Sequence, residues 1–174
     1  GGVAGAVWAV GRGRAGVLRE WGPLHFRAGP CPAAVRMVVV DSGVRRNRAD
    51  TPYNQGRKEA EAGRPRRMRQ GDSEKVRVAE FTTALEAGDG ARCGELLKES
   101  HASLRDDFEV STPAVDAIVE RAWTIPGCYG ARIMGAGFGG SILALVERGR
   151  EHDFAATIDA PSVVCSTADG AFVR

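Results

Sequence analysis

The sequence predicts an α+β domain in which helices pack on one face of a largely antiparallel sheet. Four short apolar runs have strand composition: Met37–Val40, Tyr129–Met134, Ser141–Val146 and Ser162–Cys165. Between the first and the second lie stretches with apolar residues at helical spacing, and the dipeptide Thr-Pro twice stands where such a stretch begins. The resulting order is strand, helices, strand, strand, helix, strand, an α+β layout.

Residues 1–35 are built mostly from Gly, Ala, Val and Arg, sustain neither helical nor strand periodicity, and have Glu20 as their only acidic residue. They read as a low-complexity arm without an assigned fold, the remaining residues, 36–174, forming one domain. Met37-Val38-Val39-Val40 is a β-branched run ended by the turn residues Asp41-Ser42-Gly43. Thr51-Pro52 reads as an N-cap with proline at the first helical position, which places a helix from Pro52 to about Ala62. Gly63 to Gly71, with Arg64, Arg66, Arg67 and Arg69, breaks that pattern and reads as a solvated connector.

Ser73 to Ala87 carries Val76, Val78, Ala79, Phe81, Ala84 and Leu85 at helical spacing, and Gly88-Asp89-Gly90 stops it. A second helix follows from Ala91 to Leu104, with Cys93, Leu96, Leu97, His101 and Leu104 on one stripe. Thr112-Pro113 then repeats the cap-and-proline device before Val115, Ile118, Val119 and Ala122. His101 lies on an apolar stripe, so a satisfied core histidine accounts for it better than a catalytic one. Arg105-Asp106-Asp107 stands at a helix end and reads as an ion-paired terminus rather than a magnesium site. The strands Tyr129–Met134 and Ser141–Val146 follow, then a helix within Glu147–Asp159 and a last strand at Ser162–Cys165.

Between the two middle strands stands Gly135-Ala136-Gly137-Phe138-Gly139-Gly140, four glycines in six residues. Glycine reaches positive φ without strain and has no Cβ, so such a loop can turn successive N–H groups toward one point or let another backbone pack against it. The spacing formally satisfies G-x-G-x-x-G. A dinucleotide site, however, needs a helix after the glycines, and here a strand follows. A phosphate-binding P-loop is excluded as well, since no Gly-Lys-Ser/Thr follows. From spacing alone, a tight hairpin packed on a helix and a ligand loop both fit.

The 174 residues are enough for one domain with a proper core, and the net charge of +2 asks for neither nucleic acid nor a membrane surface. Cys31, Cys93, Cys128 and Cys165 are far apart and have no histidine at ligand spacing, which points to reduced thiols in a cytoplasmic protein. No run is long enough to span a bilayer and no signal peptide is recognised. The chain begins with Gly1 and is read as a piece of something longer.

Three segments together resemble the C-terminal part of the galactokinase family, within the GHMP kinase superfamily: residues 38–57 (VVVDSGVRRNRADTPYNQGR), 94–120 (GELLKESHASLRDDFEVSTPAVDAIVE) and 130–146 (GARIMGAGFGGSILALV). The glycine loop alone is similar to the superfamily's C-terminal motif, and the other two segments point to galactokinase. The resemblance implies a second kinase domain whose loop, Gly135 to Gly140, lines the cleft that holds nucleotide and sugar, with Tyr53 contacting galactose. It implies ATP and Mg2+ as cofactors and galactose 1-phosphate as product. Phosphoryl transfer also needs cradled phosphates, a held metal and a base beside the accepting hydroxyl. In this family those parts come from the first domain, in its Gly-Arg-x-Asn-Leu-Ile-Gly-Glu-His-Thr-Asp-Tyr, Gly-Leu-Ser-Ser-Ser-Ala and Met-Asp-Gln motifs.

None of these motifs occurs among the 174 residues. The expectation is therefore a C-terminal galactokinase domain that is inactive by itself and exposes an apolar face, so that it self-associates. Two alternatives stand beside it: a non-catalytic sugar-binding or regulatory module derived from such a kinase, and a GHMP kinase for another sugar. Locally, Gly56 replaces the first arginine of the family's usual Tyr-Asn-x-Arg-Arg and Met134 takes a usual threonine position. The Arg64 to Gln70 connector replaces a longer helical stretch.

Overall fold

The structure, a computed structural model, describes residues 33–45 and 65–166. It contains strand β1 (Val35–Asp41), helices α1 (Pro65–Glu86), α2 (Gly90–Asp106) and α3 (Pro113–Thr124), strands β2 (Cys128–Ile133) and β3 (Ser141–Glu147), helix α4 (Glu151–Thr157) and strand β4 (Ser162–Cys165). The strands form one antiparallel sheet in the order β2-β3-β1-β4. With α3 before β2 and α4 after β3, this is the split β-α-β arrangement of ferredoxin-like folds, with α1 and α2 inserted between β1 and α3.

Residue alternation decides which helix goes where. Val38 and Val40 of β1 and Ile142, Ala144 and Val146 of β3 face one core with Val115, Val119 and Ala122 of α3 and Phe154 beside α4's end at Ile158. Met37, Leu143 and Leu145 point to the opposite face, where Phe81, Ala84 and Leu85 of α1 and Cys93, Leu96 and Leu97 of α2 cover them. Helices thus cover both faces, and the expectation of a single covered face is corrected. β3 is apolar at five successive buried positions, so both of its faces need a partner.

The helix starts follow their local chemistry. Thr112 caps α3, its hydroxyl accepting from the Val115 N–H at 3.4 Å with Pro113 behind it, and Asp89 caps α2 through Arg92 N at 2.9 Å. α1 begins at Pro65, eight residues before the expected Ser73, so the connector read over Gly63–Gly71 is helical from Pro65 onward. Pro65 at the first turn needs no N–H partner, and Gly71 inside the helix costs only about 1 kcal/mol relative to alanine. The helix expected over Pro52–Ala62 and the arm at residues 1–35 are outside the described residues, except for Ala33–Val35 where the chain enters β1.

Helix α2 runs along the outer edge of β2 at backbone distance. A Cβ on Gly94 would overlap the Tyr129 carbonyl, and one on Gly130 would overlap the Gly94 carbonyl. That contact places Ser100 and His101 beside Arg132 and Ile133, the residues that lead into the glycine loop.

Candidate functional site: the glycine loop and its supports

The loop from Gly135 to Gly140 joins β2 to β3 and is closed at its base by the Met134 N–H donating to the Ser141 carbonyl at 2.9 Å. Two segments grip it. On one side the Phe138 N–H donates to the Val110 carbonyl at 2.7 Å; on the other the Gly140 N–H donates to the Val44 carbonyl at 3.0 Å and the Gly140 carbonyl accepts from Ser42 N at 2.9 Å. Gly137 and Gly139 are required by these approaches, since a Cβ on either would run into the Val110 or the Val44 carbonyl. Gly135 (φ 68°) and Gly140 (φ 81°) differ: among the described residues, a Cβ there would meet nothing within 4 Å. Two of the four glycines are therefore packed against the backbone of neighbouring segments, and at the other two a Cβ would meet no described atom.

Phe138 is the one large residue of the loop and has φ of 60°, a region costly for an aromatic residue. Its ring is half-buried against the core shared with Val44 and Ile118, which offsets that cost by anchoring the loop. Ala136 takes the remaining position between Gly135 and Gly137. Tyr53, the residue expected to contact galactose, lies outside the described residues.

Beneath the loop lie two polar clusters that pattern reading does not assemble. The Glu74 carboxylate, 2% exposed, accepts from Arg132 Nη1 at 2.8 Å, Arg77 Nε at 3.0 Å and Ser100 Oγ at 2.8 Å. Arg132 also donates to the carbonyl of Ile133 at 3.1 Å. His101, fully buried, faces Asp116 through Nε2 at 3.1 Å and accepts the Ile133 N–H at Nδ1 at 3.4 Å. Burial pushes the His101 pKa below its ordinary value, Arg105 and Arg132 push the same way, and Asp116 opposes them. The only sequence signal was a charged or polar residue on an otherwise apolar stripe.

The other sequence candidates are structural. Asp106 pairs with Arg105 at 2.8 Å, and Arg105 also reaches Glu120 at 3.1 Å, the ion-paired helix end that the sequence predicts. Arg69 is exposed on α1 and lies 3.7 Å from Asp107. Among the described residues no group of three or more His, Cys, Asp or Glu is placed to hold a metal ion. Cys93 and Cys128 are pushed up to about 11 by burial, which keeps them as unreactive thiols. No described helix is long and apolar enough to cross a membrane.

Residues 81–159 match the family described as GHMP kinases C terminal. The chain is 37% identical to a galactokinase of Roseiflexus sp. strain RS-1 over 206 positions, covering 94% of this chain and 53% of that protein. It is 37% identical to a galactokinase of Chloroflexus aggregans, covering 87% and 47%. The first match spans more positions than this chain has residues, so the relative carries stretches that are absent here, and its coverage reaches into residues 1–35. Among solved structures, that of Lactococcus lactis galactokinase complexed with galactose superposes with a TM-score of 0.80 at 25% identity, covering 93% of this chain and 52% of that one. An L. major mevalonate kinase in complex with R-mevalonate shares the fold with a TM-score of 0.70 at 23% identity, covering 89% and 49%. The chain spans about half the length of the relatives it matches. With this sheet order, this glycine loop between β2 and β3 and the match over residues 81–159, the chain carries a GHMP kinase C-terminal domain, and it is similar to galactokinases over about half of their length.

Proposed function

We propose that these residues form one wall of the cleft of an ATP-dependent galactokinase, cytoplasmic in location, that converts galactose to galactose 1-phosphate. The observation that carries this reading is the division of labour in the loop: Gly137 and Gly139 are packed against Val110 and Val44, while at Gly135 and Gly140 a Cβ would meet no described atom, so that side has room for a ligand. A loop held rigid from behind and open in front suits a bound nucleotide or sugar, because the bonds from Phe138 N–H to Val110 and from Gly140 N–H to Val44 fix its backbone before the ligand arrives. The relatives' names supply the sugar, and ATP and Mg2+ come from the family's chemistry.

In this reading the chain's own part is positional. The loop excludes water and side chains from its side of the cleft, Phe138 anchors it, and Tyr53 contacts the sugar. Phosphate cradle, metal ligands and base belong to the partner domain. The 174 residues alone are accordingly expected not to turn over. ADP release from purified chain with ATP and galactose should match a heat-killed control, and release well above it would overturn the inactivity. The kinase assignment is tested by reading the upstream coding sequence in all three frames for the Ser-Ser-Ser and Met-Asp-Gln motifs and assaying the longer product for galactose-dependent ADP release. If the longer product binds galactose in calorimetry without turnover, the regulatory-module reading replaces it. If it releases ADP only with another sugar, the substrate changes while the fold assignment stands.

A further inference from the structure

We propose that His101, together with Asp116 and Ser111, is the positioning group of the glycine loop, a side-chain relay whose two ends both return to that loop and fix its stem against its apex. The inference rests on the reading of the loop as a cleft wall. The relay starts at the stem, where the Ile133 N–H, two residues before Gly135, donates to His101 Nδ1 at 3.4 Å. That nitrogen then carries no proton, so Nε2–H donates to Asp116 Oδ1 at 3.1 Å. Ser111 Oγ donates to the same oxygen. Ser111 follows Val110, whose carbonyl accepts from Phe138 at the loop's apex at 2.7 Å.

A buried histidine needs only two partners to be satisfied, and one acid and one N–H would do. The return through Ser111 and Val110 to Phe138 is what goes further, because it sets the distance between residues 133 and 138 through groups on α2, α3 and their connection. The ring is also held from the side. Trp123 of α3 meets it edge-on with centroids 5.9 Å apart, while the Trp123 Nε1–H donates to the Ala131 carbonyl at 3.0 Å on the same strand. The charged groups facing His101 are Asp116 from α3, Arg105 from α2 and Arg132 from β2. His101 touches no substrate in this arrangement. It acts through Ile133 and Phe138, and so keeps the open sides of Gly135 and Gly140 where the packed glycines place them.

The test is amide exchange on the isotopically labelled full chain, comparing Asp116→Ala and Asp116→Asn. In Asp116→Ala, exchange at Ile133 and at Phe138 should rise together by roughly tenfold or more, while Val38 and Val40 at the sheet centre keep their rates. Asp116→Asn keeps an oxygen that accepts from His101 and Ser111 and should bring both amides back toward the parent. A separate measurement needs no variant: the ring nitrogen shifts of His101 at neutral pH should show a protonated Nε2 and a bare Nδ1. Unequal response of the two amides, acceleration spread evenly over the sheet, failure of Asp116→Asn to restore, or a ring protonated on Nδ1 would overturn the relay. None of these measurements uses ATP or galactose, so they stand or fall apart from the kinase reading.

Discussion

At the residue scale, two positions make the physics of the site measurable. Gly137 and Gly135 have similar backbone conformations, φ 81° and 68°, but different surroundings. Alanine at Gly135 meets no described atom and costs only the left-handed conformation, about 1–2 kcal/mol. Alanine at Gly137 must in addition displace the Val110 carbonyl, which raises the loss to about 3 kcal/mol or more. Urea denaturation of the two variants should therefore separate them clearly, and equal losses would show that the Val110 contact is unimportant. His101 supplies the second measurement. Its pKa is lowered in the fold from an ordinary 6.5, so below that value the unfolded chain binds the proton first. The His101 contribution to stability should be flat above about pH 6.5 and fall as the pH drops toward the folded value. His101→Asn should flatten the fall in thermal midpoint between neutral pH and pH 5, after correction for the general effect of acid seen in the parent. An unchanged slope would place the proton uptake elsewhere.

At the element scale, the contact of α2 with β2 organises everything near the loop. Gly94 and Gly130 bring the two backbones together, and that closeness lets His101 and Ser100 reach a strand edge which would otherwise present unpaired N–H and C=O groups. The Glu74 cluster ties α1 into the same junction. Arg132→Met leaves the buried Glu74 carboxylate, among the described residues, with Arg77 and Ser100, and is expected to cost about 3 kcal/mol. Removing the carboxylate as well, in Arg132→Met/Glu74→Leu, should recover a substantial part, since the loss comes from an under-compensated charge rather than from a missing attraction. Strict additivity of the two substitutions in denaturation would refute that coupling.

At the scale of the whole molecule, the sheet has, among the described residues, one covered and one open edge. β2 is shielded by α2 and α3, whereas β4 is the outer strand on the other side, with Val163 65% exposed and Val164 also exposed. An exposed apolar edge strand is a template for pairing with another chain. Sedimentation of the isolated chain should show concentration-dependent association, and Val163→Lys should shift it toward monomer. A parent that remains monomeric at high concentration would remove this expectation.

Much of the architecture is legible from local chemistry alone. The Met37–Val40 run, the Thr112-Pro113 cap and the glycines between two apolar strands each state their element, because strand composition, proline at a first helical turn and positive-φ residues act over a few positions. The GHMP kinase C-terminal domain was legible through a different signal, the resemblance of residues 38–57, 94–120 and 130–146 to that family. What local chemistry could not state was partnership across the fold. Which face α1 and α2 cover depends on the two-sided burial of β3. Nor does the spacing of four glycines say which two are pressed against Val110 and Val44 and which two stay open. His101 looked like a core residue in sequence and is one. Its link to Asp116, fifteen positions away, and from there back to Phe138, exists only because α2, α3 and the loop converge. Sequence determined most of the described elements, since these follow from residue-by-residue preferences, and its three motif segments carried the family resemblance; the tertiary structure alone decided how the loop is held, because a hydrogen-bond circuit is a property of distances that only packing sets.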